Sequence, residues 1–247
     1  MTLERKSFLA GCAVVLGGLL AAGSAGVLAL YLRFKEFANP APSPEDGFYV
    51  VGDKDALWQF PEVDWDYWQY INPSVSAWIN IPNTDVNYPV VQANQFEPTF
   101  YLTHDVYRNW NPYGCPYLDW QSGISEWGHQ SVVFGHNMDD GSMFAPLARY
   151  SEPSWADDHP VILLQTPLLK KVLHVGFVQV VDGQKAQKRF EFASSEEYLE
   201  WLRSQHDEAI VRLGFYDSPD LYILCTCSNN YYASERTLVF AFAQEDA

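Results

Sequence analysis

The chain has 247 residues, 48% of them hydrophobic and 16% aromatic, and a formal charge of −16. That apolar content is enough to bury a core, which excludes a disordered chain, and so acidic a surface argues against a nucleic-acid partner. Four cysteines are too few for a disulfide framework.

From the amino end, Ser7 to Leu32 form 26 residues without a charge. As a helix this segment reaches about 39 Å, against a hydrocarbon core of about 30 Å, so residues 1–36 are expected to be a short stub and a single membrane-spanning anchor. A cleaved signal sequence has a shorter apolar run. Lys and Arg flank the segment at both ends, so charge alone does not set its orientation. Residues 1–36 carry +2, which leaves −18 on the remainder. The stretch "ANPAPSPEDG" within 37–60 reads as a stiff, Pro-rich linker, and 61–247 as one folded domain.

That domain opens with "PEVDWDYWQYIN" (61–72), where Trp65, Trp68 and Ile71 share a helical face. "SAWINIPNTDVNYPVVQ" reads as strand, turn, strand, with the turn at Pro82–Asp85. Further short strands are expected at 115–120, 129–137, 160–166, 170–183, 221–227 and 236–243. Residues 194–209 are expected to be a helix, with Ser194 and Glu197 as a capping box. Many short strands with one or two helices predict a mainly β barrel or sandwich.

The chemistry centres on "YILCTCSNN" (222–230). Alternation along a strand puts Ile223, Cys225 and Cys227 on one face and Tyr222, Leu224 and Thr226 on the other. Cys227 stands last, where strand becomes loop. A disulfide between strand neighbours two apart would be strained. Cys-x-Cys offers two of the four ligands a zinc site needs, and the redox motif Cys-x-x-Cys is absent. A cysteine nucleophile would need a base and a cation or N–H donors. Of six histidines, His104, His159 and His206 lie in polar runs and read as exposed, and His129 and His174 lie in or near strands. His136 ends the apolar strand "SVVFGHN". Arg236 opens the last strand, nine positions after Cys227, where a hairpin could set the two side by side. Each of these signals alone is weak.

Together, a His after "VVFG", a Thr-Cys closing a strand and an Arg opening the next resemble the sortases, membrane-anchored cysteine transpeptidases. "INPSVSAWINIPNTDVNYPVVQ", "FYLTHDVYRNWNPYGCPYLD" and "FGHNMDDGSMFAPL" resemble class B in order and spacing, as does the helix at 194–209. Where the family has Thr-Leu-x-Thr-Cys, this chain reads Ile223-Leu224-Cys225-Thr226-Cys227, and Cys115 stands where a small residue such as Ser is common. The resemblance implies a closed barrel of about eight strands, with an N-terminal helix and a helix inserted between two strands near the site. It implies that Cys227 cleaves a C-terminal sorting signal of the LPxTG/NPxTG kind between Thr and Gly through a thioester, a cysteine-peptidase type of hydrolase chemistry. His136 would act as acid and base, and Arg236 would hold the substrate backbone or the oxyanion. Leu102, Thr226 and Ser228 become candidate substrate contacts by position. The acceptor would be an amine of a peptidoglycan precursor or a pilin, and the domain would lie outside the cell with the amino end cytoplasmic. No metal or cofactor is expected. The competing expectation is a catalytically silent surface binding module on the same barrel, holding glycan or peptide with its Trp and Tyr side chains.

Overall fold

The computed structural model describes residues 58–122, 130–183, 189–216, 218, 220–227 and 234–243. Among them no helix is long and apolar enough to cross a membrane; the apolar stretch at 7–32 lies outside the described residues. The described residues belong to one compact unit, 41–247.

Among the described residues there are nine strands, eight of them at expected places and β7 not expected: β1 Val75–Asn80, β2 Asn87–Gln92, β3 Tyr117–Leu118, β4 Ser131–Phe134, β5 Val161–Gln165, β6 Lys170–Asp182, β7 Val211–Arg212, β8 Leu221–Cys227 and β9 Glu235–Ala243. They pair in the order β5-β1-β2-β3-β4-β8-β9-β6, and β5 pairs with β6 to close eight strands into a barrel. Closure removes the free edges that would otherwise invite aggregation. The ninth strand, β7, attaches to β6 at Phe177 and Val178, beyond the stretch of β6 that meets β5. Two pairings are parallel, β2–β3 and β4–β8. The second sets the carboxyl ends of β4 and β8 side by side.

Alternation divides each strand between two buried faces. Val90, Leu118, Val133, Leu224 and Val239 point one way and are buried. The residues between them point the other way and are covered by two layers. One layer is helix α4, Ser195–Asp207, whose Tyr198 and Leu202 pack with Val132, Phe177, Ile223, Cys225 and Phe240. The other is helix α1, Trp65–Ile71, with the segment around Tyr101 and Val106, packed on Val75, Trp78, Val91 and Tyr117. Phe134 touches both clusters.

The caps explain where the helices begin. Asp64 accepts from Tyr67 N at 3.0 Å and starts α1, three residues after the proline expected near the start. Trp68 is the buried member of its face, with its ring 5.5 Å from that of Trp78. Ser194 caps α4 by accepting from Glu197 N. Only half of the capping box forms, because the Glu197 carboxylate turns to Ala193 N and Arg189 instead of Ser194 N. Two short helices, α2 Ala145–Ala148 and α3 Pro153–Asp158, were not expected. Pro146 and Pro153 both occupy a first helical turn, where a missing N–H costs nothing.

Candidate active site

Three strand ends meet at one end of the barrel. In the β4–β8 pairing, Phe134 faces Cys225. The ladder continues past the strand: Gly135 N donates to Cys225 O at 3.1 Å, and Thr226 Oγ1 donates to Gly135 O at 2.9 Å. The same register carried one step further sets His136 opposite Cys227. On the other side, β8 pairs with β9 so that Cys227 faces Arg236. His136, Cys227 and Arg236 therefore form one row across three neighbouring strands, with Cys227 in the middle. Adjacent strands lie about 4.8 Å apart, and paired residues leave the same face of a sheet. That face is the one covered further in by α4, since Ile223 and Cys225 are buried there. All three row residues are half-buried.

His136 and Arg236 are held by bonds to main-chain carbonyls. His136 Nε2 lies 2.7 Å from Leu102 O. A carbonyl only accepts, so Nε2 carries a proton and Nδ1 is the nitrogen left to gain or lose one. The His136 carbonyl accepts from Phe144 N at 2.7 Å, closing the loop between them. Gly135 is required before His136, because a Cβ there would sit 2.5 Å from Phe144 Cγ. Arg236 Nη1 donates to Ser234 O and Glu235 O at 3.2 and 2.9 Å. Its guanidinium lies over Gly183, where a Cβ would meet Ser234 O at 2.4 Å and Arg236 Cγ and Cζ at 3.2 and 3.3 Å. A side chain at 183 would displace the arginine.

The remaining candidates divide. Leu102 borders the site, and its contribution is a backbone carbonyl that fixes the His136 ring. Thr226 is corrected: it is 1% exposed and points into the barrel, away from Cys227. Its hydroxyl ties β8 to Gly135 and cannot meet a ligand from there. Ser228 lies outside the described residues. Cys225 is buried among the side chains under α4. Cys115 is buried with Sγ 3.7 Å from Pro89 O, and burial pushes its thiol well above the usual range. Cys115, Cys225 and Cys227 are all free thiols. Among the described residues, no group of three or more His, Cys, Asp or Glu is placed to hold a metal ion. His104 and His159, read as exposed, are half-buried and bonded to Phe100 O and Trp155 O.

Tyr117 was not anticipated. It faces Phe134 in the β3–β4 pairing, and Phe134 faces Cys225, so it lies one alternate row inward of the His136–Cys227–Arg236 row on the same face. Burial raises its hydroxyl well above the ordinary range, charge at Cys225, Asp119 and Cys227 adds to this, and Arg236 opposes it. A tyrosine within electrostatic reach of both Cys227 and Arg236 is part of the site's surroundings. Only the pairing of distant strands reveals it.

No family model matches the chain. It is 23% identical over 171 residues to sortase B of Staphylococcus aureus, an alignment covering 68% of this chain and 69% of that protein. Sortase B of Listeria monocytogenes is 22% identical over 142 residues, 58% of this chain and 57% of that one. The chain is a homologue of the class B sortases. By that relationship it is a cysteine transpeptidase, an enzyme placed among the cysteine peptidases. The fold agrees: a structure of the Staphylococcus aureus sortase B–substrate complex superposes with a TM-score of 0.66 at 22% identity, over 74% of this chain and 85% of that one. The sortase-like barrel described above is thus closed in the same way as theirs.

Proposed function

We propose that this sortase homologue is anchored by residues 7–32 with its barrel outside the cell, and that it cleaves sorting signals of secreted proteins and transfers the acyl part to an amine. The observation that carries the reading is the row His136–Cys227–Arg236 on one face of three paired strand ends. Cys227 Sγ attacks the carbonyl carbon of the Thr–Gly peptide bond. Arg236 stands beside it and stabilises the negative charge that develops on the carbonyl oxygen. His136 gives a proton to the leaving glycine nitrogen, and the C–N bond breaks to leave a thioester. An incoming amine then attacks the thioester and loses its proton to His136, and the C–S bond breaks to release the Cys227 thiolate. A peptidoglycan-precursor amine or a pilin lysine serves this step, and water in its place gives hydrolysis. Because Nε2 is bonded to Leu102 O, the proton moves through Nδ1.

A substrate complex exists for a relative, which supports binding of sorting-signal peptides. The test is intact-mass spectrometry of the full chain in detergent, mixed with peptides spanning sorting-signal variants. The expected product is an adduct on Cys227 with the mass of the peptide minus its glycine-side fragment, and the peptide that gives it names the signal. Readily alkylated Cys227 with no adduct on any peptide would remove the proposed substrate class. An unreactive Cys227 would favour the silent binding module.

A further inference from the structure

The barrel's other end carries a groove of about 1020 Å³. Its walls come from the start of β1, the ends of β2 and β3, helix α1 and the turn between β5 and β6. β3 runs parallel to β2 and antiparallel to β4, so the ends of β2 and β3 lie opposite to the ends of β4 and β8. The groove is therefore separate from the catalytic row. In a chain with a formal charge of −16, none of the fourteen residues lining it is charged. Instead the lining holds an exposed indole, Trp120 at 42%, and four side-chain amides, Gln69, Gln92, Asn94 and Gln95. Leu168, 93% exposed, stands at its rim. Gln92 donates to Ala93 O and Asp119 O and leaves its own Oε1 without a partner.

We infer that this groove binds a neutral glycan strand. A pyranose ring offers an apolar C–H face to an aromatic plane and a rim of uncharged hydroxyls, each both donor and acceptor. An indole flanked by amides matches that pattern, because amides also give and take hydrogen bonds. A charged peptide would find no countercharge in the groove. A bilayer surface would rest on Leu168 and leave the concave, amide-lined floor unused. The inference rests on the groove alone and stands whether or not the catalytic reading holds.

The test is isothermal titration of the full chain, in a detergent without a sugar headgroup, with a soluble oligomer of β-1,4-linked N-acetylglucosamine. Saturable binding is expected, with a change in indole fluorescence. Trp120→Ala is expected to weaken it about ten-fold or more, and Gln69→Ala, a change on the exposed side of α1, about three-fold. Thermal unfolding of each variant separates lost binding from lost fold. Absence of saturable binding would overturn the inference, as would parent-like affinity in both variants. Binding of a Pro-rich peptide from residues 38–47 in place of the glycan would overturn it too, by making the groove a peptide site.

Discussion

The two ends of this barrel are made from the same eight strands and do different work. At one end, three polar side chains are half-buried: His136 is tied through Leu102 O and Phe144 N, Arg236 through Ser234 O and Glu235 O, and Thr226, the neighbour of Cys227, through its hydroxyl to Gly135 O. At the other end, uncharged side chains from separate segments line an open groove, and Trp120 and Leu168 stand exposed. On the proposed reading, reactivity is built where strand ends in register fix a few groups in one row. Recognition is built where composition, not restraint, sets the surface. Breaking a tie at the first end should change a rate, and changing a side chain at the second should change an affinity.

The largest effect is expected from Cys227→Ala. Removing the proposed nucleophile should lower turnover about 10⁴-fold or more, to background, and leave thermal unfolding within a few degrees of the parent. Peptide hydrolysis and amine transfer should fall together, since both pass through the thioester. Residual transfer at a tenth of the parent rate would show that another group carries the reaction. Arg236→Lys comes next. Lysine keeps the charge and loses the planar fork that lies over Gly183, so a loss of about 10²- to 10³-fold in kcat is expected. A loss of only a few-fold would show that a point charge suffices there.

Much of the first end was legible in the sequence, for a simple reason. Cys227, His136 and Arg236 sit at ends of apolar runs, and run ends are local features. Their union in a row is not local: it depends on the parallel β4–β8 pairing, and the resemblance to a known family stood in for that knowledge. Thr226 shows a reading that could have been tighter, since alternation already set it opposite to Cys227, yet its position beside the nucleophile drew it into the pocket. Leu102 was chosen by position, but it acts through its carbonyl, which no side-chain pattern encodes. Tyr117 reaches the site across β3, a strand expected at 115–120 whose neighbours the sequence does not name. The groove is less legible still. Trp120, Gln69 and Leu168 are far apart in sequence and become neighbours only through the β5–β1–β2–β3 pairings.

Thr226→Val tests the tie itself. The change keeps the shape and removes the hydroxyl that donates to Gly135 O. The Gly135 carbonyl then loses a partner, which costs about 1 kcal/mol of stability, measured by denaturant unfolding. If the tie also holds His136 in register with Cys227, kcat should fall by a similar energy, about five-fold, with KM unchanged. A stability loss with unchanged kcat would make the bond structural only and would weaken the claim that restraint at this end serves the chemistry.

The smallest effect on rate marks where the reactive end stops. Cys225 shares a face with Cys227, two residues inward, but it is buried with Ile223 and Phe240 beneath α4. If its thiol only fills space, Cys225→Ala removes one sulfur atom's contacts and should cost about 1 kcal/mol of stability. Turnover should stay within about two-fold, as for sites that share no partner. Cys225→Ser keeps the volume closer and adds a hydroxyl to an apolar cluster, so it should destabilise more than alanine does. That order, serine below alanine in stability with both near parent in rate, is the signature of a packing residue. Should alanine instead slow turnover as much as Thr226→Val does, the row of reacting groups would extend one step further into the barrel, and the boundary between chemistry and core would have to move with it.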